Sequence, residues 1–443
     1  MYRKIIAKLE EWKNKKERQP LILKGARQVG KTWVLQEFGK KHFEDVLYIN
    51  FENENNIADL FEENIDPHRI IEFLSAVHHK KIEPEKTLII FDEIQELPRA
   101  LTSLKYFAEQ APEYAICCAG SLLGVFLHDK VSFPVGKVDF LELQPLDFEE
   151  FLIANEEEDL LNLIRKNNME KVPDIVADKL KDYLKKYFVI GGMPKAVRTW
   201  IEEKDFEKVE IVQKNILEAY VRDFSKHTDN NTATKIEYVW RSIPSQLAKE
   251  NRKFIYGVVK DGARAREYEN AINWLHDTGL IRIVHRVKCG DKQPLKAYED
   301  LKAFKIYLLD IGLLRTLCEL DYETIINKDA IYNEFNGLLT EQFVLQELEN
   351  IEKVNTIYYW TNEFTSEVDF VFSYKNLILP IEAKAGINVK AQSLKVFMNQ
   401  YNTRLAIRYS LLNITLDNNI LNIPLYLIWN TKYYLEEVLK RFY

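Results

Sequence analysis

Leu21-Ile22-Leu23-Lys24-Gly25-Ala26-Arg27-Gln28-Val29-Gly30-Lys31-Thr32-Trp33-Val34-Leu35 passes from an apolar run through a glycine-bounded loop into helical sequence. Within it, Gly25, Ala26, Arg27, Gln28, Val29, Gly30, Lys31 and Thr32 fit G-x-x-x-x-G-K-[ST], after a strand and before a helix as a phosphate loop requires. The glycines let backbone N–H groups curl around phosphates at a helix N-terminus. Lys31 offers a point charge to the β- and γ-phosphates, and the Thr32 hydroxyl is suited to ligate Mg²⁺. A glycine-rich turn without a ligand is the plainer reading of the same residues. A second element weighs against it. Leu88-Ile89-Ile90-Phe91-Asp92-Glu93 is a buried-type strand ending in two carboxylates, the Walker B arrangement in which Asp92 holds Mg²⁺ and Glu93 polarises the attacking water. Together the two elements predict nucleotide binding, with ATP and Mg²⁺ as cofactors and GTP not distinguished from ATP.

Around these motifs the first 145 residues alternate short apolar runs with helical or polar sequence. The runs are Leu21–Leu23, Val46–Phe51, Leu88–Phe91, Ala115–Ala119 and Val138–Leu143, the pattern of a parallel sheet wrapped by helices. The whole chain has 443 residues, 47% hydrophobic and 29% charged, which predicts several globular domains rather than disorder. No apolar stretch approaches the roughly 18 residues of a membrane span. The start, Met1 to Glu17, alternates charges with Ile5, Ile6, Leu9 and Trp12, as an amphipathic helix does and a signal peptide does not. The 4 cysteines, Cys117, Cys118, Cys289 and Cys318, lack paired spacing and fit a reducing, cytoplasmic setting better than a disulfide framework or a zinc site. A net charge of −7 offers no bulk attraction for nucleic acid.

Beyond the first domain, residues 146–225 read as helices interrupted at Gly191-Gly192-Met193-Pro194. Residues 226–320 read as helix-turn-helix followed by a hairpin, Ile281–Val287 with Phe304–Leu309, the pattern of a winged helix. Residues 321–443 open on a helix, Asn333–Leu348, and continue through strands at Thr356–Trp360, Glu367–Phe372 and Leu377–Lys384.

The phosphate loop, Asp92-Glu93-Ile94-Gln95-Glu96-Leu97-Pro98, Gly120-Ser121, Leu143-Gln144-Pro145-Leu146 and Gly191-Gly192-Met193-Pro194 together resemble a bacterial and archaeal family. These are the AAA-type, STAND-like P-loop ATPases that carry a C-terminal restriction-endonuclease-like domain of unknown function. The resemblance covers nearly the whole chain and implies an α/β multidomain protein: a P-loop ATPase core at 1–145, a helical lid at 146–225, a winged helix at 226–320 and a restriction-endonuclease-like domain at 321–443. It implies that Ser121 is the sensor of the γ-phosphate, catalytic with Lys31 and Glu93, and that Pro194 packs on the nucleotide base. Where family members often have Arg, this chain has Lys137 after Gly136. A lysine does not replace a planar guanidinium at a transition state, so an arginine finger is not expected there. Arg198 and Arg222 are the available lid arginines, and a solvated helix face explains each equally well.

In the last domain Asp369 and Glu382-x-Lys384 fit the D-x(n)-E-x-K pattern, in which carboxylates hold Mg²⁺ and the lysine orients water. Glu382 and Lys384 share one strand face, Asp369 faces away from Val368, Phe370 and Phe372, and Glu341 falls on the apolar side of the preceding helix. The resemblance implies that Glu341, Asp369, Glu382 and Lys384 are the nuclease-fold active-site set. The competing reading is a buried Glu–Lys ion-pair cluster in a domain kept for binding. Lys249, Arg252, Lys253, Lys260, Arg264 and Arg266 form the best phosphate-backbone candidate, although Glu267, Glu269 and Asp277 on the next helix would repel DNA. The winged helix therefore serves protein contacts at least as well as DNA. His78-His79 reads as a solvated turn, and Tyr358, Tyr359 and Trp360 as core.

These readings predict a nucleotide-dependent switch: ATP closes the lid, hydrolysis releases it, and the later domains use the change. Its partners are ATP and ADP, then duplex DNA or a protein, with no membrane. An ATP-gated DNA nuclease and a non-hydrolysing nucleotide-bound scaffold stand as the alternatives.

Overall fold

A computed structural model describes residues 1–53, 57–121, 134–166, 169–226, 228–248, 253–326, 334–352, 354, 356–362, 366–386 and 391–442. The chain forms two compact units, Met1–Gln144 with Trp274–Leu280, and Pro145–Asn273 with Ile281–Tyr443.

In the first unit, five strands, β1 (Leu21–Lys24), β2 (Asp45–Asn50), β3 (Thr87–Asp92), β4 (Ala115–Ala119) and β5 (Asp139–Glu142), form one sheet in the order β2-β3-β4-β1-β5. Every pairing is parallel. Strands β3 and β4 are buried at every residue, which is why they read as unbroken apolar runs rather than alternating ones. Helices α1 (Ile5–Lys13), α2 (Lys31–His42), α3 (Ala58–Glu63), α4 (Pro67–Val77) and α5 (Pro98–Gln110) accompany the sheet. Helix α4 starts where Asp66 accepts from the Arg69 N–H, with Pro67 at its first position. Parallel register places Leu23 beside Ala119 and Phe91 beside Cys118, so the C-terminal ends of β1, β3 and β4 open on one edge. That edge is where α/β sheets bind ligands. Cys117 and Cys118 are buried in β4, and burial pushes both thiols well up, leaving them packing groups.

The second unit begins with helices α6 (Phe148–Ala154), α7 (Glu158–Arg165), α8 (Asp174–Ile190), α9 (Pro194–Glu203), α10 (Phe206–Lys226) and α11 (Asn230–Leu247). A reciprocal cap between Asp147 and Glu150 starts α6. The turn from α8 to α9 needs its glycines: Gly191 has φ +70° and a Cβ there would lie 2.2 Å from Asp310 Oδ1, while one on Gly192 would lie 2.0 Å from the Leu146 carbonyl. Helices α12 (Tyr256–Val259) and α13 (Ala265–Asp277) follow, and the end of α13, from Trp274, clusters with the first unit.

Strands β6 (Ile281–Val287) and β7 (Glu299–Leu308) form the expected antiparallel hairpin, but the hairpin does not stand alone. It is one edge of an eight-stranded mixed sheet, order β12-β13-β11-β10-β9-β8-β6-β7, because β6 pairs in parallel with β8 (Tyr358–Thr361). The other strands are β9 (Glu367–Tyr374), β10 (Leu377–Ala383), β11 (Ala406–Ser410), β12 (Thr415–Asp417) and β13 (Ile420–Pro424). Between β7 and β8 come α14 (Ile311–Leu317), α15 (Tyr322–Ile326) and α16 (Glu334–Leu348), and α17 (Gln392–Tyr401) and α18 (Thr431–Phe442) complete the unit. Helix α16 buries two glutamines whose amides are satisfied: Gln342 bonds both the Leu308 N–H and its carbonyl, and Gln346 accepts from Ile311 N and donates to Tyr187 OH. Tyr358, Tyr359 and Trp360 are buried in this sheet.

Candidate nucleotide site

Gly25 leaves β1 with φ +145°, where a Cβ would come 2.3 Å from the Leu143 carbonyl oxygen, and Gly30 caps α2 at φ +95°. Only glycine takes both positions without strain. The loop thereby ends in the first turn of α2, whose free N–H groups and dipole favour an anion. Lys31 is buried, and its Nζ donates to the carbonyls of Gly25 (2.8 Å) and Ala26 (2.9 Å). Burial lowers its ammonium to about 8, against the raising effect of Glu93 and Asp92. A phosphate group would replace those carbonyls as partner and favour the charged form.

Thr32 Oγ1 donates to Asp92 Oδ2 at 2.7 Å, which joins the phosphate loop to the end of β3. Tyr48 OH donates to the same carboxylate oxygen at 2.8 Å, and burial pushes that phenol up to about 12. Glu93 follows in a left-handed conformation, φ 49°, which turns it out of the strand direction. Its Oε2 accepts from Gln95 Nε2 at 2.7 Å and, more weakly, from Ser121 N and Oγ at 3.4 Å. Gln95 Oε1 is buried with no hydrogen-bond partner among the described residues. Arg3, also buried, donates to the carbonyls of Val29 (3.1 Å) and Gln144 (2.5 Å), propping the loop from below. The fold thus brings Lys31, Thr32, Asp92, Glu93 and Ser121 to one strand edge. It adds Tyr48 and Arg3, which belong to no motif, and Gln95, which stood in the stretch Asp92–Pro98 without an assigned role. The glycine cradle and the adjoining Thr32 and Asp92 oxygens suit a Mg²⁺-bound triphosphate, with Thr32 and Asp92 as the residues that would hold the ion.

Pro194 opens α9 in the second unit. Arg198 pairs with Glu202 (2.7 Å) and Arg222 with Glu218 (3.6 Å), both as exposed one-turn helix pairs. Lys137 pairs with Glu109 at 3.1 Å. In the basic segment Lys253, Lys260, Arg264 and Arg266 are exposed, while Lys249 and Arg252 lie outside the described residues. No helix among the described residues is long and apolar enough to cross a membrane.

Part of the C-terminal set meets a residue that the motif omits. Lys305 of β7 is wholly buried; its Nζ pairs with Glu367 and lies 3.8 Å from Glu341 Oε2, with the ring centroid of Tyr359 at 5.0 Å. Burial would lower this ammonium, but Tyr307, Glu367 and Asp369 outweigh it and hold the group above the usual lysine value. Tyr307 OH donates to Glu341 Oε2 at 3.1 Å. Glu382 pairs through Oε1 with Lys384 at 2.9 Å, and burial raises its carboxyl despite that partner. Asp369 Oδ2 accepts from the Ala383 N–H at 2.8 Å. The carboxylates therefore face different partners, and among the described residues no three His, Cys, Asp or Glu side chains are grouped to hold a metal ion. As arranged, this donor set does not fit Mg²⁺, which demands near-octahedral oxygen ligation.

Residues 17–152 match the family model of the AAA domain. Residues 181–324 and 336–428 match two domains of unknown function, DUF8612 and DUF4143. An uncharacterized protein of Methanocaldococcus jannaschii is 24% identical over 363 residues, covering 80% of this chain and 72% of its own. Among solved structures, a Walker-type ATPase of Pyrococcus abyssi is 16% identical, covering 70% of this chain and 94% of that one, at a TM-score of 0.44. The Orc1 protein of Aeropyrum pernix, solved in complex with DNA, is 15% identical over 71% of this chain and 91% of that one, at a TM-score of 0.27.

Proposed function

We propose that this chain is a Mg²⁺-dependent ATPase of the AAA type that acts as a nucleotide switch. The observation that carries the reading is the 2.7 Å bond from Thr32 to Asp92, which sets the phosphate loop and the Walker B carboxylates in mutual register beside Lys31. The AAA domain match over residues 17–152 supports it. Bound Mg²⁺ would supply charge neutralisation of the phosphates. Lys31 gives up its two carbonyl partners to hold phosphate oxygens, and the α2 amides orient them. Glu93 accepts a proton from the attacking water, with Gln95 and Ser121 positioning its carboxylate. Nucleotide occupancy is passed to residues 146–443, where the helix-turn-helix and hairpin bind a protein or duplex DNA. The exposed Lys253, Lys260, Arg264 and Arg266 support the second of these partners, and the acidic Glu267 and Glu269 beside them the first.

The test is Mg²⁺·ATP binding and turnover by the wild type and Lys31→Ala, each with and without duplex DNA. Turnover that Lys31→Ala removes, together with nucleotide binding, supports the assignment. Wild-type protein that binds no nucleotide would overturn it.

A further inference from the structure

We propose that Lys305 is the resident cation of the C-terminal carboxylate cluster, standing where a nuclease of this sequence pattern would need a divalent metal, so that the eight-stranded domain binds its partner without cutting. Glu341, Asp369, Glu382 and Lys384 match the pattern in sequence, yet the pattern omits a cation on edge strand β7 that pairs with Glu341 and with Glu367 and feels the charge of Asp369. Lys305 lies on β7, and its side chain runs past the Tyr359 ring to end at Glu367 and Glu341. It is 0% exposed, so no solvent shares its charge, and a second cation beside it would meet unscreened repulsion. The remaining two carboxylates have other hydrogen-bond partners, although the charge of Asp369 is also felt by Lys305. Glu382 faces Lys384, and Asp369 holds the backbone of β10 through Ala383.

A buried ammonium surrounded by carboxylates is held by them, and they by it: removing one partner leaves uncompensated buried charge. The single orphan in the cluster is Glu382 Oε2, buried with no hydrogen-bond partner among the described residues. One unpaired oxygen does not make a metal site when Glu341 is committed to Lys305 and Tyr307. The cluster therefore acts as an internal clamp, tying β7 to β9 and to α16, and so joining the hairpin to the rest of the sheet.

The experiment is a Mn²⁺ titration of the nucleotide-free full chain, alongside thermal melting of wild type, Lys305→Ala, and Lys305→Ala with Asp369→Asn. Wild type is expected to show no Mn²⁺ site that Glu382→Gln removes. Lys305→Ala is expected to melt lower and to regain about 5 °C in Mn²⁺, as a vacated cation position fills, while the added Asp369→Asn abolishes the gain. A stoichiometric wild-type Mn²⁺ site lost in Glu382→Gln would overturn the proposal, as would a Lys305→Ala melt indifferent to Mn²⁺. If Lys305→Ala does not fold in either buffer, the wild-type titration decides alone. Omitting nucleotide keeps the result independent of the phosphate site.

Discussion

Burial sets the charge state of Lys31. Its folded pKa of about 8 lies below the usual 10.5, so the free protein carries an unfavourable buried cation below pH 8. That cost fades as pH rises from about 8 to 10.5, and the ligand-free protein gains stability across this window. Phosphate restores the ammonium, so ATP binding near pH 8.5 is expected to take up a proton. Calorimetry in two buffers of different ionisation enthalpy reads this directly, and identical heats would contradict the assignment. Gln95 and Tyr48 hydrogen-bond the carboxylates of Glu93 and Asp92. Gln95→Ala frees the Glu93 carboxylate from its 2.7 Å partner and is expected to lower kcat by roughly tenfold or more with KM little changed. A fall in ATP affinity instead would place Gln95 in binding. The phosphate loop and the Asp92-Glu93 pair were legible in sequence because each is contiguous and its chemistry demands fixed spacing. Tyr48 and Arg3 were not, since tyrosine in a strand and arginine in an amphipathic start carry no local signal; only tertiary register brings them to the site. Gln95 stood in the stretch Asp92–Pro98, but nothing there assigned it to the Glu93 carboxylate.

At the scale of elements, glycine turns and buried caps decide the geometry. Asp310 joins two of them, accepting from Gly192 N at 2.6 Å and from Leu313 N at 3.0 Å, so that it holds the α8–α9 turn and starts α14. Burial raises its carboxyl to about 6 against those hydrogen bonds. An acid whose folded pKa exceeds its unfolded 3.8 retains its proton longer when folded, so its contribution to stability falls as pH rises from about 4 to 6. Asp310→Asn is expected to flatten that slope in urea unfolding. Asp310→Ala is expected to cost about 2–4 kcal/mol, because it strands buried N–H groups; a loss under about 0.5 kcal/mol would show the turn is held otherwise. The elements themselves were largely readable: the five apolar runs of the first domain became β1 to β5, the clearest being β3 and β4, which are buried on both faces and stand out as unbroken apolar sequence. The parallel pairing of β6 with β8 was not readable, because it joins residues separated by three helices, and nothing local records a long-range register. Lys305 was missed for the same reason.

At the scale of the molecule, the chain is two compact units, with the phosphate loop and the Walker B pair in the first. Nucleotide binding should therefore stabilise the units unequally. At about 100 times Kd, ligand linkage is worth about 2.7 kcal/mol to whatever unfolds with the site. Amide exchange is expected to slow in β1, β3 and α2 on adding Mg²⁺·ADP while the centre of the second sheet, β9 to β11, is unchanged. Equal protection of both would show that they unfold as one. The central claim is that Glu93 activates water on an ATP held by Lys31, Thr32 and Asp92. Its most direct test is a single-turnover reaction in which enzyme exceeds Mg²⁺·ATP and the bound nucleotide is recovered and identified over time. Wild type should yield ADP and phosphate, whereas Glu93→Gln should hold intact ATP with undiminished affinity and convert it at least about 100-fold more slowly. Conversion by Glu93→Gln at the wild-type rate would contradict the account.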